Sequence, residues 1–152
     1  MKNLIFIDFE PDFCQILNSW HKTEQKGGHD GFGEFIVPSG VLLGDYISFI
    51  KQNIDELNCK IVLDGKNIVG FICYIKNENS LFVECMGVSP DFRGQGYSGK
   101  ILTLLKTEAS ALGIARVTLN VHKNNSSGIR SFSKVGKRTE SSSENYIDFE
   151  IQ

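Results

Sequence analysis

The sequence predicts a domain of the α/β (α+β) class, with helices covering a central mixed and mostly antiparallel sheet in the order β-α-α-β-β-β-α-β-α-β-β. Three observations carry this reading. The runs "CKIVL", "NIVGFICYI" and "LFVECMGV" are rich in strand formers and are joined by the turn chemistry of "DGK" and "KNENS", which makes sequential antiparallel hairpins. A glycine-rich loop then leads into Ile101, Leu102, Leu104, Leu105, Ala109 and Leu112 at helical spacing, with Gly113 as the stop. Finally, "ARVTLNV" alternates cleanly, with Ala115, Val117, Leu119 and Val121 on one face.

The remaining elements follow in order. "NLIFIDF" is a short apolar strand, and Pro11 opens a helix with Phe13, Ile16, Leu17 and Trp20 at helical spacing. "KGGHDGFG" reads as a mobile glycine-rich loop, after which Ser39 is placed to cap a second helix bearing Val41, Leu42, Tyr46, Phe49 and Ile50. Because "NIVGFICYI" is apolar on both faces, it is expected to be the central strand. Asn125 or Ser126 caps a short helix ending near Gly136, and "KRTESSSENYIDFEI" forms a closing hairpin. No linker or repeat interrupts residues 1–152, so one domain is expected.

Composition narrows the function classes. A net charge of -2 offers no basic field for nucleic acid, so no nucleic-acid partner is expected. The N-terminal "MKNLIFIDFE" has an apolar run of four residues before Asp8 interrupts it, too short for a signal-peptide core or a membrane span. A cytoplasmic protein without a membrane partner is therefore expected. Cys14, Cys59, Cys73 and Cys85 show neither paired nor zinc-type spacing and read as buried free thiols, so no metal is expected.

The stretch "RGQGYSGK" from Arg93 to Lys100 carries the functional signal. Gly94, Gly96 and Gly99 spell the dinucleotide fingerprint G-x-G-x-x-G, but no acidic residue stands about 20 positions further on to bind a ribose. Gly94 to Lys100 also spell most of a P-loop, but Ile101 replaces the hydroxyl residue that would hold magnesium. A third pattern fits better. "VSPDFRGQGYSGKIL" joins a strand ending at Val88 to a helix beginning near Gly96 and is similar to the acetyl-CoA-binding motif of the GNAT N-acetyltransferase superfamily, V-x-P-x-F/Y-R/Q-R/G-x-G-I/L/V/Y-G/A. The predicted element order resembles that fold along essentially the whole chain. A helix N-terminus with free N–H groups, approached closely through glycine, is a physically sound cradle for a pyrophosphate.

The resemblance implies acetyl-CoA as co-substrate, its pyrophosphate wrapped by the backbone of Arg93, Gly94, Gln95, Gly96, Tyr97, Ser98 and Gly99, and its pantetheine arm paired with Met86, Gly87 and Val88. Ser98 departs from the family's Gly or Ala but keeps its N–H. Glu84 lies where members of the family often place a base, and the backbone N–H of Val88 or a neighbour is implied as the oxyanion donor. Strand alternation places Glu84, Met86 and Val88 on one face unless a bulge intervenes. His122 is an alternative base, since histidine titrates near neutrality. "NSSGIRSFSKVGK" resembles the family's second motif, with Asn125 at the asparagine that contacts the coenzyme. Phe132 stands where a tyrosine usually protonates the departing thiolate, and Lys137 replaces a phenylalanine. A thiol titrates near about 8.5 and leaves tolerably without help, so a slower or differently assisted enzyme is expected.

The implied activity is acetyl transfer to a primary amine of a small molecule or protein. The fold's substrate-facing parts correspond to about residues 20–50 and 138–147, where Glu24, Asp30, Glu34, Asp45, Glu140 and Glu144 suit a cationic amine or form an ordinary solvated face. Phe71, Phe82 and Phe132 leave other acyl chains open. The rival reading is a GNAT-fold module that binds acyl-CoA with little catalysis, and a homodimer is one assembly open to such a chain.

Overall fold

The computed structural model describes residues 3–141 and 143–152, so the first two residues of the N-terminal stretch and position 142 of the hairpin expected to face the substrate lie outside it. One seven-stranded sheet in the order β1-β2-β3-β4-β5-β7-β6 organises the described residues. Strands β1 (Leu4–Asp8), β2 (Leu57–Asp64), β3 (Asn67–Lys76) and β4 (Ser80–Val88) pair antiparallel in succession. β5 (Arg116–His122) joins β4 in parallel, and β7 (Tyr146–Ile151) inserts between β5 and β6 (Gly136–Thr139). β3 is interior, as its apolar run predicts, but β4 holds the central position.

Helices cover both faces. After a turn of 3-10 helix at Pro11–Phe13, helix α1 (Cys14–Lys26) buries Leu17, Trp20, His21 and Glu24, a single face at helical spacing. It packs beside α3 (Leu43–Asn53), which buries Leu43, Ile47 and Ile50 over Ile61, Phe71 and Cys73. On the opposite face α4 (Tyr97–Ala111) buries Ile101, Leu102 and Leu105 against Val62, Ile72 and Val117, each such side chain contributing roughly 2 kcal/mol. Helix α5 (Ser126–Ser133) flanks α4, with Asn125 at its N-cap as the sequence suggests.

Two expectations are corrected. The stretch read as an open loop contains a short helix, α2 (Gly31–Phe35), because Asp30 caps it by accepting the Gly33 N–H at 3.1 Å. Helix α3 begins four residues after Ser39, with Leu42 at its N-cap and no side-chain cap.

Candidate functional site

The parallel pairing of β4 with β5 is short. It runs from Ser80 opposite Arg116 to Val83 opposite Leu119 and then stops, although β4 continues to Val88. Along its other edge β4 stays paired with β3 as far as Val88 opposite Gly70. The Ser89 N–H bonds the Val69 carbonyl at 2.8 Å, so alternation turns the Val88 N–H, and that of Met86, toward the parted edge. Met86 and Val88 are two of the three residues implied for the pantetheine arm and the oxyanion, whereas Gly87, expected with them, faces β3 opposite Phe71.

At the end of that edge Pro90–Phe92 form a 3-10 turn, and Arg93 continues extended. Gly94 (φ 75°) and Gly96 (φ 82°) take left-handed conformations before α4 begins at Tyr97. No side chain caps α4, and the first intrahelical bond here is from the Lys100 N–H to the Gly96 carbonyl at 3.3 Å. The N–H groups of Tyr97, Ser98 and Gly99 are therefore left without intrahelical partners at the positive end of the helix dipole, beside the parted strands. The residues present fit a pyrophosphate, and a Cβ built at Gly94 or Gly96 meets nothing within 4 Å. The Tyr97 ring is directed elsewhere: it is buried, edge-on to Phe92, and its hydroxyl donates to Asp64 at 2.6 Å.

Arg93 has a second role. Its guanidinium forms an ion pair with Glu24, donates through Nε to the Val88 carbonyl at 3.3 Å, and lies over the Phe32 ring at 4.9 Å. Glu24, only 4% exposed, accepts the Phe32 N–H at 2.8 Å with its other oxygen. Phe32 closes the circuit by packing on β4. A Cβ at Gly87 would sit 2.6 Å from Phe71 and 2.8 Å from Phe32, so only glycine admits both rings.

This arrangement corrects the charge reading of residues 20–50. Glu24 is a buried partner of Arg93. Asp30 caps α2 and accepts from His21 Nε2 at 2.8 Å, while His21 Nδ1 accepts the Leu43 N–H at 3.2 Å. Although partial burial acts to raise it, the bonds from His21, Gln25 and Gly33 hold the Asp30 carboxyl below its ordinary value. Asp45 accepts from Asn18 at 3.1 Å and Cys14 at 3.2 Å, which lowers it likewise. Glu34, Glu140 and Glu144 remain exposed.

Glu84 is displaced from the expected face. Cys73 pairs with Cys85 and Tyr74 with Val83, so Glu84 is the extra residue of a β-bulge. Met86 and Val88 pack toward α4, whereas Cys85 packs on the α1/α3 side. Glu84 is exposed on the strand, and its charge, after burial and Cys85, helps raise the Tyr46 hydroxyl of α3 above its usual range.

His122 lies across the parted edge, its ring 5.9 Å from Phe35 of α2 and 5.3 Å from Tyr146 of β7. Its Nδ1 accepts the Asn124 N–H at 3.1 Å, so the neutral ring carries its proton on Nε2 and Nδ1 is already engaged. Asn125 spends its side-chain oxygen on the Gly128 N–H at 3.0 Å. Phe132 packs into the α4-side core, 6.2 Å from Phe149 at 70°. Tyr74 lies on that same side, whereas Tyr46 packs on the α1/α3 side and feels the Glu84 charge. Below the bulge, on the sheet face left open beside α3, a hollow of 430 Å³ is lined by Phe82, Thr118, Asn120, Thr139, Glu140 and Asp148. Among the described residues no group of three or more His, Cys, Asp or Glu could hold a metal ion, and no helix is long and apolar enough to cross a membrane.

Known structures share this fold. The PaiA N-acetyltransferase from Thermoplasma acidophilum, solved in complex with coenzyme A, aligns over 99% of this chain and 99% of its own at 14% identity and a TM-score of 0.68. A domain from Methanocaldococcus jannaschii aligns over 98% and 97% at 14% identity and a TM-score of 0.75. Mutant forms of the spermidine/spermine N-acetyltransferase SpeG from Vibrio cholerae align over 99% and 94% at 12% identity and a TM-score of 0.70. At these identities the likeness is one of fold. No curated protein matches the sequence significantly. The model of the acetyltransferase (GNAT) family matches residues 32–136, more than half of the chain, and the chain belongs to that family.

Proposed function

We propose that residues 1–152 act as one N-acetyltransferase domain that moves an acetyl group from acetyl-CoA to a primary amine of a small molecule or protein. The observation that carries this reading is the parting of β4 from β5 directly beside the uncapped N-terminus of α4. The cradle holds the pyrophosphate through the N–H groups of Tyr97, Ser98 and Gly99, and the free edge at Met86 and Val88 aligns the pantetheine arm. Acetyl-CoA, when bound, supplies an activated thioester.

The chain's residues do the rest. Glu84 takes a proton from the amine, directly or through water, since an amine that titrates near about 10 is otherwise charged. The Val88 N–H donates to the developing oxyanion, a fixed dipole that needs no reorganisation. Phe132 offers no proton to the departing thiolate, and the Tyr46 hydroxyl, pushed up by burial and by the Cys85 and Glu84 charges, stays protonated.

The test is release of free coenzyme thiol from acetyl-CoA across a broad panel of amines. Amine-dependent release is expected, and none with any amine would sink the proposal. A second reading, an acyl-CoA-binding module with little catalysis, is favoured by Phe132 alone. Tight acetyl-CoA binding by calorimetry without turnover would select it.

A further inference from the structure

Three of the four cysteines form a row. Cys59 on β2 stands directly opposite Cys73 on β3, and Cys73 directly opposite Cys85 on β4. All three belong to the α1/α3 side of the sheet, where Cys59 and Cys73 are buried and Cys85 is partly exposed beside Glu84. Facing residues on antiparallel strands have Cα atoms about 4.5 to 5.5 Å apart, inside the window that a disulfide spans. Cys59 and Cys85 lie two strand spacings apart, about 9.5 Å, which is beyond reach.

We propose that Cys73 and Cys85 are an oxidisable dithiol that hydrogen peroxide converts to a cross-strand disulfide between β3 and β4. Cys85 is the thiol a solute can reach. Its thiolate attacks one peroxide oxygen, the O–O bond breaks, and the leaving hydroxide takes up the thiol's proton, giving Cys85 sulfenic acid and water. Cys73 then attacks that sulfur and expels its hydroxyl as a second water while the S–S bond forms. Two thiols are oxidised and one peroxide is reduced to two waters. A dithiol reductant reverses the change.

The surroundings support this pairing. The Cys59 and Cys85 thiols that face it across the strands, together with burial, hold the Cys73 thiol well above its ordinary value. Cys73 therefore suits the second step, attack on an already activated sulfur, rather than the first. Cys14, the fourth cysteine, lies on α1, where burial and the Asp45 carboxylate raise its thiol and make it a poor rival. The bulge adds a consequence: Glu84 is the inserted residue next to Cys85, so the disulfide would tether the backbone that carries it.

The experiment treats the folded protein with a few equivalents of hydrogen peroxide, blocks residual thiols under denaturing conditions, and maps the products by mass spectrometry. Titratable thiols fall from four to two, with loss of two hydrogen atoms and a peptide pair linked through Cys73 and Cys85. Cys85→Ser and Cys73→Val each abolish the linked pair, whereas Cys14→Ser still forms it. A Cys59–Cys73 link, oxidation confined to Cys14, or Cys85 carrying extra oxygen with no disulfide would each overturn the proposal. The readout is mass, so it stands apart from whether the acetyl-transfer reading holds.

Discussion

The two edges of β4 differ. Toward β3 the strand is paired through Val88, interrupted only by the bulge at Glu84, whereas toward β5 it is paired for the four residues from Ser80 to Val83 and then parts. The closed edge fixes the strand in position, and the parted edge presents N–H groups that a ligand can take up. An ordinary edge strand would offer such groups as well, but it would lack the rigid backing that holds their geometry. A strand in the middle of a sheet with one edge released combines both properties.

Substitutions break or sharpen this contrast, and the largest effect is expected where α2 is tied over the strand. Glu24→Ala strands the Phe32 N–H and unpairs Arg93, which should cost about 3 kcal/mol in urea unfolding, and a variant as stable as the parent would show that the pair does not hold the segment. Glu84→Gln should lower kcat by roughly 10²-fold while leaving acetyl-CoA affinity unchanged, since only the proton acceptor is removed. An undiminished rate would remove Glu84 as the base.

Smaller effects probe the cradle. Gly96→Val forces a β-branched residue to φ 82°, with an expected cost of about 1–2 kcal/mol and weaker acetyl-CoA binding by calorimetry; unchanged binding would place the pyrophosphate elsewhere. Phe132→Tyr should raise the rate up to about 10-fold by restoring a proton donor, and no gain would mean that thiolate protonation does not limit turnover.

The smallest change concerns Tyr97→Phe, at the contact between α4 and β2. The Tyr97 hydroxyl holds Asp64 below its ordinary value, a contribution present above about pH 4 and lost as pH falls through the folded value. The Asp64 carboxylate holds Tyr97 above its ordinary value, a contribution present below about pH 10 and lost as pH rises further. Thermal unfolding of the variant should show a shallower decline at both extremes, and a profile superimposable on the parent's would deny the pair any role.

Much of the fold is legible in local chemistry. Turn residues mark the hairpins, alternation marks β5, and the apolar spacing of Ile101, Leu102 and Leu105 marks α4 with its glycine stop. The cradle is readable because backbone conformation there demands glycine, and glycine is visible in a sequence. The bulge at Glu84 is not, since a one-residue insertion in a strand alters pairing with a partner and leaves the local pattern intact. The fate of Glu24 is hidden for the same reason: nothing near it marks a carboxylate that will meet Arg93 in the folded chain. Asp30 does leave a local signal, an Asp three residues before the N–H it caps, but the surrounding glycines make the stretch read as a loop.

The Glu24–Arg93 pair also decides how an anion is met at a distance. A phosphate that recruited the Arg93 guanidinium would leave a buried carboxylate uncompensated, so the arginine serves as a strut, and its charge is largely cancelled before any ligand arrives. What Arg93 leaves at the glycines is dipolar, from backbone N–H groups, and that field decays over a short range, while the exposed Lys100 one turn into α4 keeps a full charge. In the proposed site the backbone would therefore grip the coenzyme on contact, and any long-range steering would fall to Lys100 rather than to Arg93.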